Sequence, residues 1–314
     1  MRIADVIRIV VMVILGFVLL VSPDKLCAQE VDSVEVKPPK EYVKQTFDHP
    51  QLINNQTNEV LPARTWMFRI QHRFGVIGFD ESFYEEFLGM DLVANIRLGY
   101  STAITKNLMI GVGRTKVDKI WDFETKYALL KQTKDNKMPF SLSVYGNMAI
   151  SSDDAIEADS TLYFADGTTL FEPKFAHRVN YDVELIIARK FGNVASFQFS
   201  PTFIYRNLSE PGLTNSTFAL PFAGRVRIGM KSFIVFEYAY VTNNRTKDFR
   251  DPISLGVEIS TLGHAFKMFV SSTDQLLGQE IYTNSSYDYT DGEFLFGFNI
   301  TRKFWRKKKK KKKI

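Results

Sequence analysis

The chain carries four histidines and one cysteine, so side chains able to titrate or act as nucleophiles near neutral pH are few. A histidine beside a serine or aspartate would make a hydrolytic centre, and several at close spacing would hold a transition metal. His49, His72, His177 and His264 have no spacing that suits a metal cluster. His72 comes nearest to a catalytic placement, beside Arg73 and out of register at a strand end, and is read as an interface histidine. Gly111-Val112-Gly113-Arg114 has the start of a phosphate loop. It lacks the later Gly-Lys-Ser/Thr and precedes no helix, so these glycines are read as relieving crowding in a strand. Residues 152–174 bring Asp153, Asp154, Glu157, Asp159, Asp166 and Glu172, oxygens that suit a hard cation such as calcium. Their spacing matches no known loop, and a solvated acidic surface loop is the expectation. No catalytic, cofactor-binding or metal-ligating residue is assigned, and no cofactor is expected.

Another group of ionisable residues is organised by position. Arg69, Arg73, Arg97, Lys126, Arg206, Arg225, Arg227 and Lys267 stand against Asp122, Glu124, Asp182, Glu184, Glu237 and Glu258, and each alternates with apolar neighbours. A period of two is the mark of a strand with unlike faces. Such segments recur along the chain. Trp66, Phe68 and Ile70 oppose Arg69, Gln71 and Arg73; Leu92, Ala94, Ile96, Leu98 and Tyr100 oppose Asn95, Arg97, Gly99 and Ser101. The pattern continues at 108–114, 120–130, 138–150 and 178–191. It runs on through Phe197 to Arg206, Phe218 to Ile228, Ile234 to Tyr240, Ile253 to Ser260 and Phe266 to Ser271. It ends at 293–305, where Phe294, Phe296, Phe298 and Ile300 share one face, Gly297, Asn299 and Thr301 the other, and Leu295 breaks the rule.

About twelve such segments predict an all-β chain, a single antiparallel transmembrane β-barrel in which the charged residues line the lumen. An even count with both termini on one side is what a single-chain bacterial barrel requires. Links after the second, fourth, sixth, eighth and tenth strands read as short and the others as longer, except the short one near 115–118. A packed soluble barrel stays near eight strands, and twelve would leave an interior too wide for these polar side chains to fill. The aromatic content of 14%, with Trp66, Trp121, Tyr100, Tyr127, Tyr181, Tyr205 and Tyr240 on apolar faces, fits interfacial girdles.

The ends read differently. Arg2 and Arg8 precede an apolar run too short for a comfortable span, which predicts a signal peptide over 1–28 that removes Cys27. Residues 29–62 are polar and aperiodic, either a periplasmic linker or a partial plug, and 63–305 form the barrel. Residues 306–313 hold eight positive charges; removing them from the net +5 leaves about −3. The basic pI therefore belongs to a tail, and no nucleic-acid partner is implied.

The run 68–75, FRIQHRFG, followed by FYEEFLGMDLVANIRLGY and LMIGVGRTKVD, resembles an uncharacterised Bacteroidota-type outer-membrane β-barrel family of unknown function. The resemblance spans about 46–304 and implies location and fold. It supplies no catalytic residue and no ligand, and the lysine tail is not part of it. The expectation is a non-enzymatic outer-membrane barrel in contact with lipid, inserted by the barrel-assembly machinery, with both termini periplasmic. A narrow pore or transport barrel is the first reading. A closed barrel acting through its outer loops is the second, and an outer-membrane hydrolase the third.

Overall fold

The computed structural model describes residues 41–77, 85–87, 89–154, 163–164 and 167–305. The predicted signal peptide, the lysine tail, and Glu157, Asp159 and Asp166 lie outside the described residues; so does most of 81–88, ESFYEEFL, which the sequence offers as a short amphipathic helix. The chain runs through β1 (Thr65–Ile77), β2 (Asn95–Ala103), β3 (Leu108–Thr115), β4 (Ile120–Leu130), β5 (Ser141–Ser151) and β6 (Val179–Phe191). It continues through β7 (Ala195–Phe199), β8 (Thr202–Arg206), β9 (Ser216–Arg227), β10 (Ser232–Val241), β11 (Ile253–Ser260) and β12 (His264–Ser271). A short helix α1 (Gly278–Asn284) precedes the last strand, β13 (Phe294–Trp305).

Every neighbouring pair is antiparallel, and β13 closes on β1 in the register Ile70↔Ile300. Strands β7 and β8 are two halves of one crossing, since both pair with β6 on one side and β9 on the other. Pro201, between them, has no N–H to give the ladder, although its carbonyl still accepts from Leu185 N at 3.0 Å. Counted as crossings, the barrel has twelve strands. This closure leaves no unpaired edge, as a strand-built membrane span requires.

The alternation sorts side chains as the sequence predicts. In β4 the odd positions Trp121, Phe123, Tyr127 and Leu129 are exposed toward lipid, while Asp122, Glu124 and Lys126 are buried inside. Aromatic rings mark both interfaces: Trp66 stacks on Phe304 at 3.8 Å near one end, and Trp121, Tyr181, Tyr205 and Tyr240 stand outward near the other. His72 differs from its expected place. Because β1 runs on to Ile77, the ring lies within the strand on the outer face, stacked on Phe298 at 4.9 Å.

Connections at the end that holds both barrel termini cover 104–107, 131–140, 192–194, 228–231 and 261–263. The second is longer than its sequence suggests, because β5 begins only at Ser141, after Pro139. At the opposite end the link 116–119 is short, and it turns through Asp118 (φ 53°) and Lys119 (φ 45°), both in the left-handed region.

Candidate functional site

The interior is filled by two pieces of the chain's own backbone. Residues 46–61 enter from the end that holds the barrel termini, turn back at a tight tip where Leu52 N donates to Asn55 O (2.9 Å), and leave into β1. The polar, Asn-rich composition of this stretch denies it a core of its own. Three apolar side chains, Phe47, Leu52 and Ile53, nevertheless pack on the inward-facing Ala188, Ala223, Val235 and Phe269. From the other end, residues 272–285 fold inward, and Ile281 and Tyr282 of α1 pack against Ile204, Val241 and Phe249. The two inserts meet where Tyr282 Oη donates to Asn55 Oδ1 at 3.0 Å.

The charged wall residues act on these inserts. Glu237 accepts the backbone N–H groups of Ile53 (2.8 Å) and Asn55 (3.1 Å) on Oε1 and of Asn54 (2.8 Å) on Oε2. Lys126 Nζ donates to Pro50 O (2.6 Å) and Gln56 Oε1 (3.0 Å), and Lys267 Nζ to Gln51 O (2.7 Å). Arg73 donates to Asn54 Oδ1 (2.8 Å) and to Asn299 Oδ1 (2.9 Å). Lys303 Nζ donates to Asp48 O. Arg225 bridges Asp48 of the insert (3.0 Å) and Glu258 of the wall (3.1 Å).

A second group pairs wall to wall. Arg97 meets Asp122 through Nε (2.8 Å) and Nη2 (2.5 Å), and Arg69 meets Glu124 at 2.9 Å. Glycines make room for this network: Gly113 lies across from Asp122 in the ladder, and a Cβ there would stand 2.4 Å from both Arg97 Nη2 and Asp122 Oδ1. The Gly111–Gly113 pair thus serves packing, with no helix behind it.

Of the fourteen charged residues predicted to line the lumen, Arg69, Arg73, Arg97, Asp122, Glu124, Lys126, Asp182, Glu184, Arg225, Glu237, Glu258 and Lys267 are buried within the barrel. Arg206 and Arg227 lie at opposite rims. Arg206 donates to Asn284 Oδ1 (3.1 Å) at the end of α1, and the exposed Arg227 holds Asn193 O (2.6 Å) and Met230 O (2.8 Å) in two turns. Both belong to strand ends, where the inward face opens to solvent. The sequence reading passed over Lys303 and Asp48, and the inward apolar residues Ile186, Ile204, Val235, Phe269 and Leu295. The signal was present for the strand residues: Lys303 and the five apolar ones sit at polar-face parity, and Leu295 stands out as a breach of the alternation, whereas Asp48 lies in the aperiodic insert.

Burial shifts the ionisable groups of the inserts. His49 is 2% exposed with neither ring nitrogen partnered, and burial, then the charges of Lys303, Lys267 and Arg225, hold its pKa well below the usual imidazole value. Burial raises Glu59, Asp274 and Glu280 above ordinary carboxylates. Among the described residues no histidine hydrogen-bonds a serine or aspartate side chain; His177 Nδ1 accepts only Lys174 N (3.2 Å). Nor, among them, do three or more His, Cys, Asp or Glu gather as a metal cluster.

A family model described as a membrane-bound β-barrel domain, DUF5777, matches residues 47–304. The chain belongs to this family. The matched span takes in the barrel and nearly all of the insert 46–61. No protein of curated function matches the sequence. Among solved structures, the KdgM porin in complex with disordered oligogalacturonate is 9% identical with a TM-score of 0.46, covering 76% of this chain and 99% of that one. The NanC porin is 8% identical (TM-score 0.46; 77% and 100% covered). The COG4313 outer-membrane channel from Pseudomonas putida F1 is 11% identical (0.44; 79% and 98%). At such identities the likeness is one of barrels. The chain is a membrane-bound β-barrel.

Proposed function

We propose that this barrel is a non-enzymatic, gated outer-membrane pore, held shut by the insert 46–61 and covered from the opposite end by the loop 272–285. The termini and shorter turns face the periplasm in this reading, and the barrel-assembly machinery inserts it. One observation carries the proposal. Arg73, Lys126, Glu237 and Lys303 are buried charges with no ion-pair partner within 4.0 Å among the described residues, and the polar contacts they make are chiefly to the insert. A barrel built to stay shut would pair such charges with one another, because a buried charge without compensation is costly. Charges that hold a short polar segment can be returned to water when it leaves, so withdrawal exposes a wetted wall of both signs. Such a wall sets a transverse field for a permeating solute.

The test is single-channel conductance in a planar bilayer. Asn54 Nδ2 lies 3.0 Å from Ser254 Oγ, so an Asn54→Cys/Ser254→Cys pair, made with Cys27→Ser, is expected to lock the insert when oxidised and permit openings when reduced. Removal of 45–61 together with trimming of 274–287 is expected to give a steadily conducting barrel. If that doubly trimmed protein folds and still passes no current, the pore reading fails and the closed, loop-displaying barrel takes its place.

A further inference from the structure

Two wall carboxylates are left out of the charge pairing. Asp182 and Glu184 stand two residues apart on the inward face of β6, ~7 Å along the strand, at 1% and 4% exposure. Among the described residues neither forms an ion pair or accepts a hydrogen bond, and Asp182 Oδ1 is fully buried without a partner. The cations nearby are committed elsewhere: Arg97 to Asp122, and Lys126 to Pro50 O and Gln56 Oε1. Both carboxylates line a cavity between wall, insert and loop, shared with Gln51, Arg97, Tyr145, Leu277 and Tyr282. Gly278 seals it so closely that a Cβ there would stand 2.2 Å from Asp182 Oδ2.

A second observation comes from a different element. Gln51, on the insert and 5% exposed, spends its Nε2 on Asn54 O (3.0 Å), while its Oε1 has no partner and the residue lines the same cavity. The free space is about 10 Å³, room for a single particle the size of water. An organic cation does not fit. The unused donors are all oxygens, with two carboxylates among them and neither thiolate nor imidazole, which selects a hard ion and matches a double positive charge. Magnesium demands a near-ideal octahedron of ligands at short distance. Calcium accepts irregular sets of carboxylate and amide oxygens.

We propose that this cavity binds one calcium-like divalent cation through Asp182 and Glu184 of the wall and the Gln51 side-chain oxygen of the insert. The ion joins the insert to the barrel, so it stabilises the seated insert by mass action. The proposal rests on where the insert sits and not on whether it withdraws, so a barrel that never conducts leaves it untouched.

The test uses the full-length protein folded in detergent and stripped with a chelator, with calcium alone and magnesium alone as probes. Calcium is expected to raise the midpoint of heat-induced unfolding saturably, by about 5 °C or more at a hundredfold excess over its dissociation constant, with a smaller effect of magnesium. The near-isosteric double variant Asp182→Asn/Glu184→Gln is expected to fold, as judged by its unheated gel mobility, and to lose the calcium response. Gln51→Ala is expected to weaken calcium binding, measured directly by titration calorimetry. An undiminished response in the double variant would place the ion at the surface loops and overturn the proposal. So would a wild type indifferent to calcium, with the neutral variant simply more stable, because the carboxyls would then be accommodated protonated.

Discussion

Glu237 is the most concentrated attachment between wall and insert, and its replacement has a calculable effect. Its two oxygens take three consecutive backbone N–H groups at the tip of the insert. In Glu237→Gln one oxygen remains for Ile53 and Asn55, but the new amide presents N–H to the N–H of Asn54, donor against donor. The loss of one charge-assisted bond, with weakening of two others, costs about 2–3 kcal/mol. That is on the order of a hundredfold more unseated insert, at about 1.4 kcal/mol per tenfold. Glu237→Ala would orphan all three donors. The insert then does better to leave for water, so the measured loss is capped at its own docking free energy. Hydrogen exchange of the 53–55 amides, read by mass spectrometry on the folded barrel, reports the unseated population. Exchange is expected to rise about a hundredfold in the Gln variant and to approach that of a free segment in the Ala variant, with bilayer openings rising in step. Ser254→Ala, which removes one neutral hydrogen bond to Asn54, is expected to shift exchange less than about tenfold. Unchanged 53–55 exchange in both Glu237 variants, in barrels with folded gel mobility, would refute the idea that wall charge holds the insert.

Gly113→Ala drives a methyl into the Arg97–Asp122 pair and is expected to cost about 1–3 kcal/mol, seen as a lower midpoint of the heat-induced mobility shift; Gly146→Ala, whose Cβ would meet Thr125 Cγ2 at 3.6 Å and Asp182 O at 3.9 Å, both ordinary contacts, should be near neutral. Asp122→Asn leaves the buried Arg97 guanidinium only the longer ion pair to Glu124 (3.7 Å) and is expected to cost about 3 kcal/mol in the same assay, with part regained when Arg97→Met is added. Seating of the insert is expected to weaken as pH falls: free imidazole takes a proton near 6.5, whereas seated His49 is held well below that, so its contribution is complete above about 6.5 and is lost below it. Insert exchange should rise by up to about tenfold per pH unit below 6.5, and the difference between wild type and His49→Gln isolates this from Glu59, which burial shifts the opposite way; identical profiles would show that His49 does not titrate with unseating.

The outer half of the molecule was legible because lipid imposes a rule on every second residue. A strand between hydrocarbon and lumen must show apolar groups on its lipid side, so the run from Trp121 to Leu129 announces its own register. Closure of β13 on β1, the aromatic rims and the inward side of Arg69, Arg97, Asp122 and Glu124 follow from that one constraint. The alternation from Phe197 to Arg206 reads as one strand and passes over the break at Pro201, which comes from a residue that cannot donate. The late start of β5 was not legible either, since the alternation through Phe140 continues past the point where Pro139 stops the ladder.

What no periodicity could disclose is the filling of the lumen. Residues 46–61 have no repeat, because their backbone groups are satisfied by wall side chains distant in sequence: Glu237 is 184 residues from Ile53, and Lys267 is 216 from Gln51. For the same reason the inward charges could be assigned to a face but not to partners. Whether Arg97 finds Asp122 and whether Lys126 finds a backbone carbonyl are decided by register across strands and by what occupies the space. So is the isolation of Asp182 and Glu184, which look in the sequence like any other inward carboxylates. The sequence by itself determined a two-faced wall, because that depends on neighbours along the chain and on the solvent at each face. The tertiary structure alone decided that the wall closes around its own segments, because those contacts exist only once distant parts of the chain share the lumen.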